Sequence, residues 1–162
     1  MTANPVSDGD GKIAEADGRT TPLGLYNYAC SYHQAARALR KMKFPTTHPG
    51  SPVSFLYFHA IELFLKSFLR LHGHTTEELS SRKFGHDYGR MRDRAVELGL
   101  DLMDEDCVVL DHLEHTDVVI RARYLKTGYY EEPTLKALER TAKSLRESVR
   151  DQFKKKNIHA RR

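Results

Sequence analysis

One row of charge stands out in an otherwise apolar stretch of the sequence. His59, Glu62, Lys66 and Arg70 follow one another at steps of three, four and four, which on a helix places them in one narrow stripe. Glu62 four residues ahead of Lys66 is the favourable order for a helical ion pair. The stripe has two readings: a single solvent-facing strip, or an edge that looks into a cleft where other charges satisfy it. In the second reading the partners are the cations and aromatic of Arg121, Arg123 and Tyr124. Nine histidines raise the question of a metal. His112 and His115, three apart, are the one pair able to share a helix face as ligands, but no HExxH pattern accompanies them. The expectation is solvated groups and no metal or cofactor. The sequence contains no P-loop, no GxGxxG after a strand and no GxSxG elbow. Acidic residues are crowded over 101–117, but a carboxylate pair doing acid–base work needs one member shielded from water.

Helices are the elements that must position these groups. Thr21-Pro22 reads as a cap followed by proline at the first helical position. Leu25, Tyr28, Ala29, Tyr32, Ala36 and Leu39 then follow at helical spacing. FPTTHPG, 44 to 50, ends that helix. Ser51-Pro52 repeats the start signal, and a second helix is expected to His72, closed by Gly73. Val53, Phe58, Ile61, Phe64, Leu65, Phe68 and Leu69 belong to an apolar set that covers most of its circumference, so it should be the hub of the fold. A turn at 75–82 with Thr76 as a cap, a helix from about 86 to 98 closed by Gly99, and a fourth main helix within 101–117 follow. That last segment has seven acids and neither Lys nor Arg, and its outer face is expected to carry them. Val118 to Ile120 are β-branched but short, and Lys126-Thr127-Gly128 marks a loop. Glu132-Pro133 is the expected start of a last helix with Leu135, Leu138, Ala142, Leu145, Val149 and Phe153 on one face.

The expected fold is therefore all-α, an up-and-down bundle of about five helices. Its boundaries are a disordered segment over 1–20, the bundle over 21–153 and a basic tail over 154–162. The 162 residues are 40% apolar and 30% charged, enough for one compact core. No apolar run reaches the ~18 residues of a membrane span, and the Gly- and Asp-rich start has no hydrophobic stretch, so a cytoplasmic protein away from membranes is expected. Cys30 and Cys107 lie among apolar residues and read as buried, reduced thiols. The net charge of +4 is uneven: without the last nine residues, KKKNIHARR, the balance is 21 basic against 22 acidic. Such a tail can contact phosphate or remain a solvated end.

AIELFLKSFLRLHG, FGHDYGRMRDRAVELGL and IRARYLKTG, in that order, resemble the HEPN superfamily of helical bundles. The matching residues are Ala60, Glu62, Leu63, Leu65, Lys66 and Leu69; Gly85, His86 and Asp87; and Arg121, Arg123, Tyr124 and Gly128. The resemblance covers about residues 25 to 150 and implies a four- to five-helix bundle, often a homodimer. Many members are metal-independent endoribonucleases of toxin–antitoxin or other defence systems, and others bind RNA, nucleotides or protein partners without catalysis. Active members carry Arg-x(4–6)-His. Here Arg123 is followed after five residues by Tyr129, and Arg82 and His86 have only three residues between them. Tyrosine, with a pKa near ~10, is a poor base at neutral pH. The first expectation is thus a non-catalytic binding module in which Glu62, Lys66, Arg121, Arg123, Tyr124 and Tyr129 form the ligand site, with RNA, a nucleotide or a partner protein as ligand. The alternatives are a ribonuclease using His86 as a relocated base beside Arg121 or Arg123, and an unrelated helical interaction module meeting a basic partner through its acidic face.

Overall fold

The computed structural model describes residues 18–115, 123, 124, 128 and 131–160. Among them the secondary structure is helical, without a strand: α1 Pro22–Arg40, α2 Gly50–Leu71, α3 Thr76–Ser80, α4 Tyr88–Glu97, α5 Asp104–His115 and α6 Leu135–Lys155. The all-α class expected from the sequence is what the chain adopts. The segment expected to be disordered, apart from residues 18–20, lies outside the described residues, as do Val118 to Ile120.

Helix starts follow local chemistry, with shifts of one or two residues. At α1 the Thr21 hydroxyl accepts from the Gly24 amide at 2.9 Å, as read from the sequence. The α2 start differs: Pro49 is already helical at φ −68°, ψ −23°, and no side chain caps it. Ser51 is inside the helix, its amide bonded to the His48 carbonyl, so it is not the cap. The expected turn at 75–82 closes into the short helix α3. Its cap is Thr75, one residue before Thr76, in a reciprocal box with Glu78. Asp87 caps α4 through Arg90. Thr134 caps α6 through Ala137, which leaves Glu132-Pro133 ahead of the helix.

Three helices end alike. Gly73, Gly99 and Asn157 have φ of 93°, 88° and 57°. In each case the next amide reaches five residues back, His74 to Leu69, Leu100 to Ala95 and Ile158 to Phe153, the paired C-terminal closure that a left-handed residue permits. The third closure turns Ile158 and Ala160 onto the core and lets the Lys156 ammonium donate to the Leu71 carbonyl at 3.1 Å.

α2 is the hub. Thirteen of its 22 residues are buried, and it packs against α1, α6, α4 and α3. By length and composition it could cross a membrane, but its most apolar stretch is 72% buried by the rest of the protein, the situation of a core helix. Contacts give the directions. Tyr26 meets Phe64, Tyr32 meets His59 and His33 meets Tyr57, so α1 and α2 are antiparallel. Tyr26 also meets Phe153 while Arg40 pairs with Glu139, so α6 runs antiparallel to α1 and parallel to α2. Tyr88 bonds Phe58 and Arg94 reaches His74, so α4 also runs with α2. The chain does not strictly alternate: the segment containing α3 carries it back along the bundle before α4 begins.

Two burial expectations are corrected. Asp106, read as one of the outer-face acids of α5, is fully buried and accepts from Thr141 at 2.9 Å and Ser144 at 2.6 Å. Those two hydroxyls replace the water it loses. Cys30 and Cys107 are free thiols but only half-buried.

Candidate functional site

The charged stripe on α2 is an edge between elements rather than an open strip. The α4 approach covers Glu62, leaving it 3% exposed. Its Oε1 accepts from the Lys66 ammonium at 2.7 Å and its Oε2 faces Nδ1 of His86 at 2.9 Å. A carboxylate only accepts, so Nδ1 carries the hydrogen of this contact and Nε2 is the ring nitrogen turned away from the acid. The His86 side chain is 63% exposed. His86 does not cap α4, because Asp87 does so. The turn at Gly85, φ 42°, instead swings the imidazole back to α2. Arg70, at the far end of the stripe, donates to the carbonyls of Thr20 and His74 and ties the chain ahead of α1 to the end of α2.

Beneath the pair, the Tyr88 hydroxyl donates to the Phe58 carbonyl at 3.1 Å. Burial, and then the Glu62 charge, raise its pKa well above the usual tyrosine value. Beside the pair lies a groove of about 500 Å³ lined by Leu25, His59, Glu62, Lys66, Thr76 and Leu79 among others.

The upper end of the stripe is aromatic. His59 lies edge-on to Tyr32, with centroids 4.4 Å apart, and parallel to Phe55 within 1° at 6.3 Å. Tyr28 and Tyr32 share a hydroxyl hydrogen bond of 3.1 Å. The Arg123 guanidinium stands 5.5 Å from the Phe55 ring centre, within cation–π range. Burial lowers the His59 pKa; Glu62 opposes that shift, and the positive charge of Arg123, Lys66 and His86 reinforces it. These four charged groups therefore share one electrostatic neighbourhood around His59.

Of the residues singled out from the sequence, Glu62, Lys66, His86 and Arg123 come together here. Tyr124 is 66% exposed. Arg121 and Tyr129 lie outside the described residues. His112 Nε2 contacts the Glu131 carbonyl at 3.0 Å, and the His115 side chain is outside the described set. Among the described residues no group of three His, Cys, Asp or Glu side chains is spaced to hold a metal ion. Tyr28 and Tyr32, expected on the apolar stripe of α1, belong with Phe55 to this aromatic edge, and Tyr28 is 54% exposed. The signal for a different role was the four-residue step from Phe55 to His59 and from Tyr28 to Tyr32, which sets two rings side by side on each helix.

Chemically the arrangement offers a buried acid that orients an exposed imidazole, cations for phosphate, and aromatic faces for a base. No family model, no curated protein and no solved structure matches the chain.

Proposed function

We propose that the chain is a HEPN-type helical bundle that binds single-stranded RNA or a nucleotide at the α2 edge without cleaving it. The observation that carries this reading is the Arg123 guanidinium over Phe55, whose ring lies parallel to His59 with Lys66 about two turns further along the same helix face. Cations alternating with π-faces on a half-exposed edge suit a nucleotide chain: phosphates meet Arg123 and Lys66, and a base stacks on the rings. The test is fluorescence anisotropy with a labelled oligouridylate. Arg123→Ala should weaken binding about tenfold, the scale of one charged contact. Wild-type protein that leaves the anisotropy unchanged at high micromolar concentration overturns the reading.

A second reading, a metal-independent endoribonuclease, is favoured by one observation: Glu62 holds His86 with its Nε2 free. That nitrogen would take the proton of a ribose 2′-hydroxyl. The 2′-oxygen would attack phosphorus and form a 2′,3′-cyclic phosphate, and the 5′-oxygen would leave with a proton from a second acid such as water. Arg123 would stabilise the charge gathered on the phosphoryl oxygens. Against it stands the absence of Arg-x(4–6)-His from the sequence. Single-stranded RNA incubated in EDTA decides between the two: cleavage that His86→Ala abolishes supports the nuclease, and intact RNA rejects it.

A further inference from the structure

On another face of the bundle, α1 and α6 enclose a cleft of about 360 Å³ lined by His33, Arg37, Lys136, Glu139, Arg140, Lys143 and Arg146. Five cations face one carboxylate there, and Glu139 is already engaged by Arg37 at 3.3 Å and by Arg40. At the cleft wall sits His33, 1% exposed, with neither ring nitrogen hydrogen-bonded. The Nε of Arg146 is buried and unpartnered as well. Behind His33, 6.1 Å between ring centres, the Tyr57 hydroxyl is a third buried group without a partner.

Buried polar groups are hydrogen-bonded in nearly all native structures. Three orphans beside one cleft, two of them donors or potential donors at its wall, require an explanation. Packing does not supply one, because Phe at 33 would fill the space between Tyr57 and Phe64 without the polar penalty. The cation arrangement supplies it. On α6 the basic residues fall at 136, 140, 143 and 146, next to the core face at 138, 142, 145 and 149. On α1 they fall at 37 and 40, in register with His33. Like charges are gathered from two helices around a site that holds too few acids to balance them.

We propose that this cleft is an oxyanion site that takes a phosphate group. Lys143 and Arg146 face the phosphate from α6, Arg37 from α1, and His33 donates a hydrogen bond from the floor. Burial and the charges of Arg146 and Arg37 hold His33 neutral with a pKa of about 4, and an anion bound beside it would raise that value. The phosphate can be that of a free nucleotide-sized compound or a link in a nucleic-acid backbone.

The experiment follows the His33 imidazole by proton–carbon NMR in the full chain at pH 7, its signal assigned through His33→Phe. Pyrophosphate and a six-residue oligouridylate are titrated separately, with sodium chloride holding ionic strength constant. A saturable shift of His33 is expected. Shift by pyrophosphate identifies a free phosphate compound as the source, and shift by the oligonucleotide alone identifies a phosphodiester chain. Exposed Lys143 can be changed without disturbing the core, and Lys143→Gln should weaken binding about tenfold. A His33 signal that neither probe moves, a shift that chloride alone reproduces, or a Lys143→Gln variant of unaltered affinity overturns the site.

Discussion

Glu62 and His86 meet at 2.9 Å across 24 residues of sequence, the acid buried under α4 and the imidazole largely in solvent. The pair couples the hub helix to the surface, because the charge that orients the exposed ring is itself fixed by Lys66 in the interior.

Breaking that link should be expensive on one side and mild on the other. Glu62→Ala takes from the Lys66 ammonium, 14% exposed, the carboxylate it is paired with at 2.7 Å, and should destabilise the fold by ~3 kcal/mol. Lys66→Met still leaves Glu62 its contact with His86, so the loss should be ~1–2 kcal/mol. Urea unfolding of the two variants at pH 7 checks the order, and equal losses would contradict the proposed asymmetry.

Stability should fall with acid in a way that traces to buried imidazole. His33 has a pKa of about 4 in the folded chain against 6.5 for the free side chain. As pH falls below about 6.5 the unfolded chain takes up a proton that the folded one refuses. His33 therefore contributes full stability above that pH and loses ~2 kcal/mol of it between pH 7 and 5. His59, whose pKa burial also lowers, acts in the same direction. Denaturant midpoints measured across this range should show a shallower decline in His33→Phe than in the parent.

Asp106 is predicted to matter far more than an acid on a charged helix normally does. Asp106→Ala removes the acceptor for both Thr141 and Ser144 and should cost about 2–3 kcal/mol. Thr141→Val removes one donor and leaves Asp106 its bond to Ser144, for a loss of about 1 kcal/mol. A double-mutant cycle on these positions measures their coupling directly.

At the end of α4, Gly99 has φ 88° and open space where a side chain would stand. Gly99→Ala should lower stability by ~1–2 kcal/mol through backbone strain alone. Because no atom is displaced, the thermal midpoint should drop without any change in the circular dichroism spectrum at 25 °C.

The helices were legible because periodicity and caps are local signals. Thr21, Gly73 and Gly99 announce their helix ends within a few residues, and the apolar wrap of 53–71 marks α2 as the hub. Starts defined by backbone alone were less readable: Pro49 enters α2 already helical, so Ser51 offered a false cap. Asn157 closes α6 in the manner of a glycine, a role its side chain does not advertise. The site was half legible. The row from His59 to Arg70 follows from helix geometry, but the side it faces depends on how Gly85 turns His86 toward α2. Asp106 sits among exposed acids in sequence, and only the hydroxyls of a helix 35 residues away distinguish it. The cleft at His33 needed the antiparallel register of α1 and α6, which no single-helix pattern contains.

The neighbouring roles of His86 and Asp87 carry a dynamic consequence. One residue grips the buried acid of α2, and the next holds the first turn of α4 through the amides of Arg90 and Met91. Fraying of that turn therefore releases the grip on the acid, and anything that tightens the imidazole slows the fraying. Amide exchange at Arg90 and Met91 thus becomes a reporter of occupancy at the α2 edge, slowing when a ligand is seated there even though neither amide touches it.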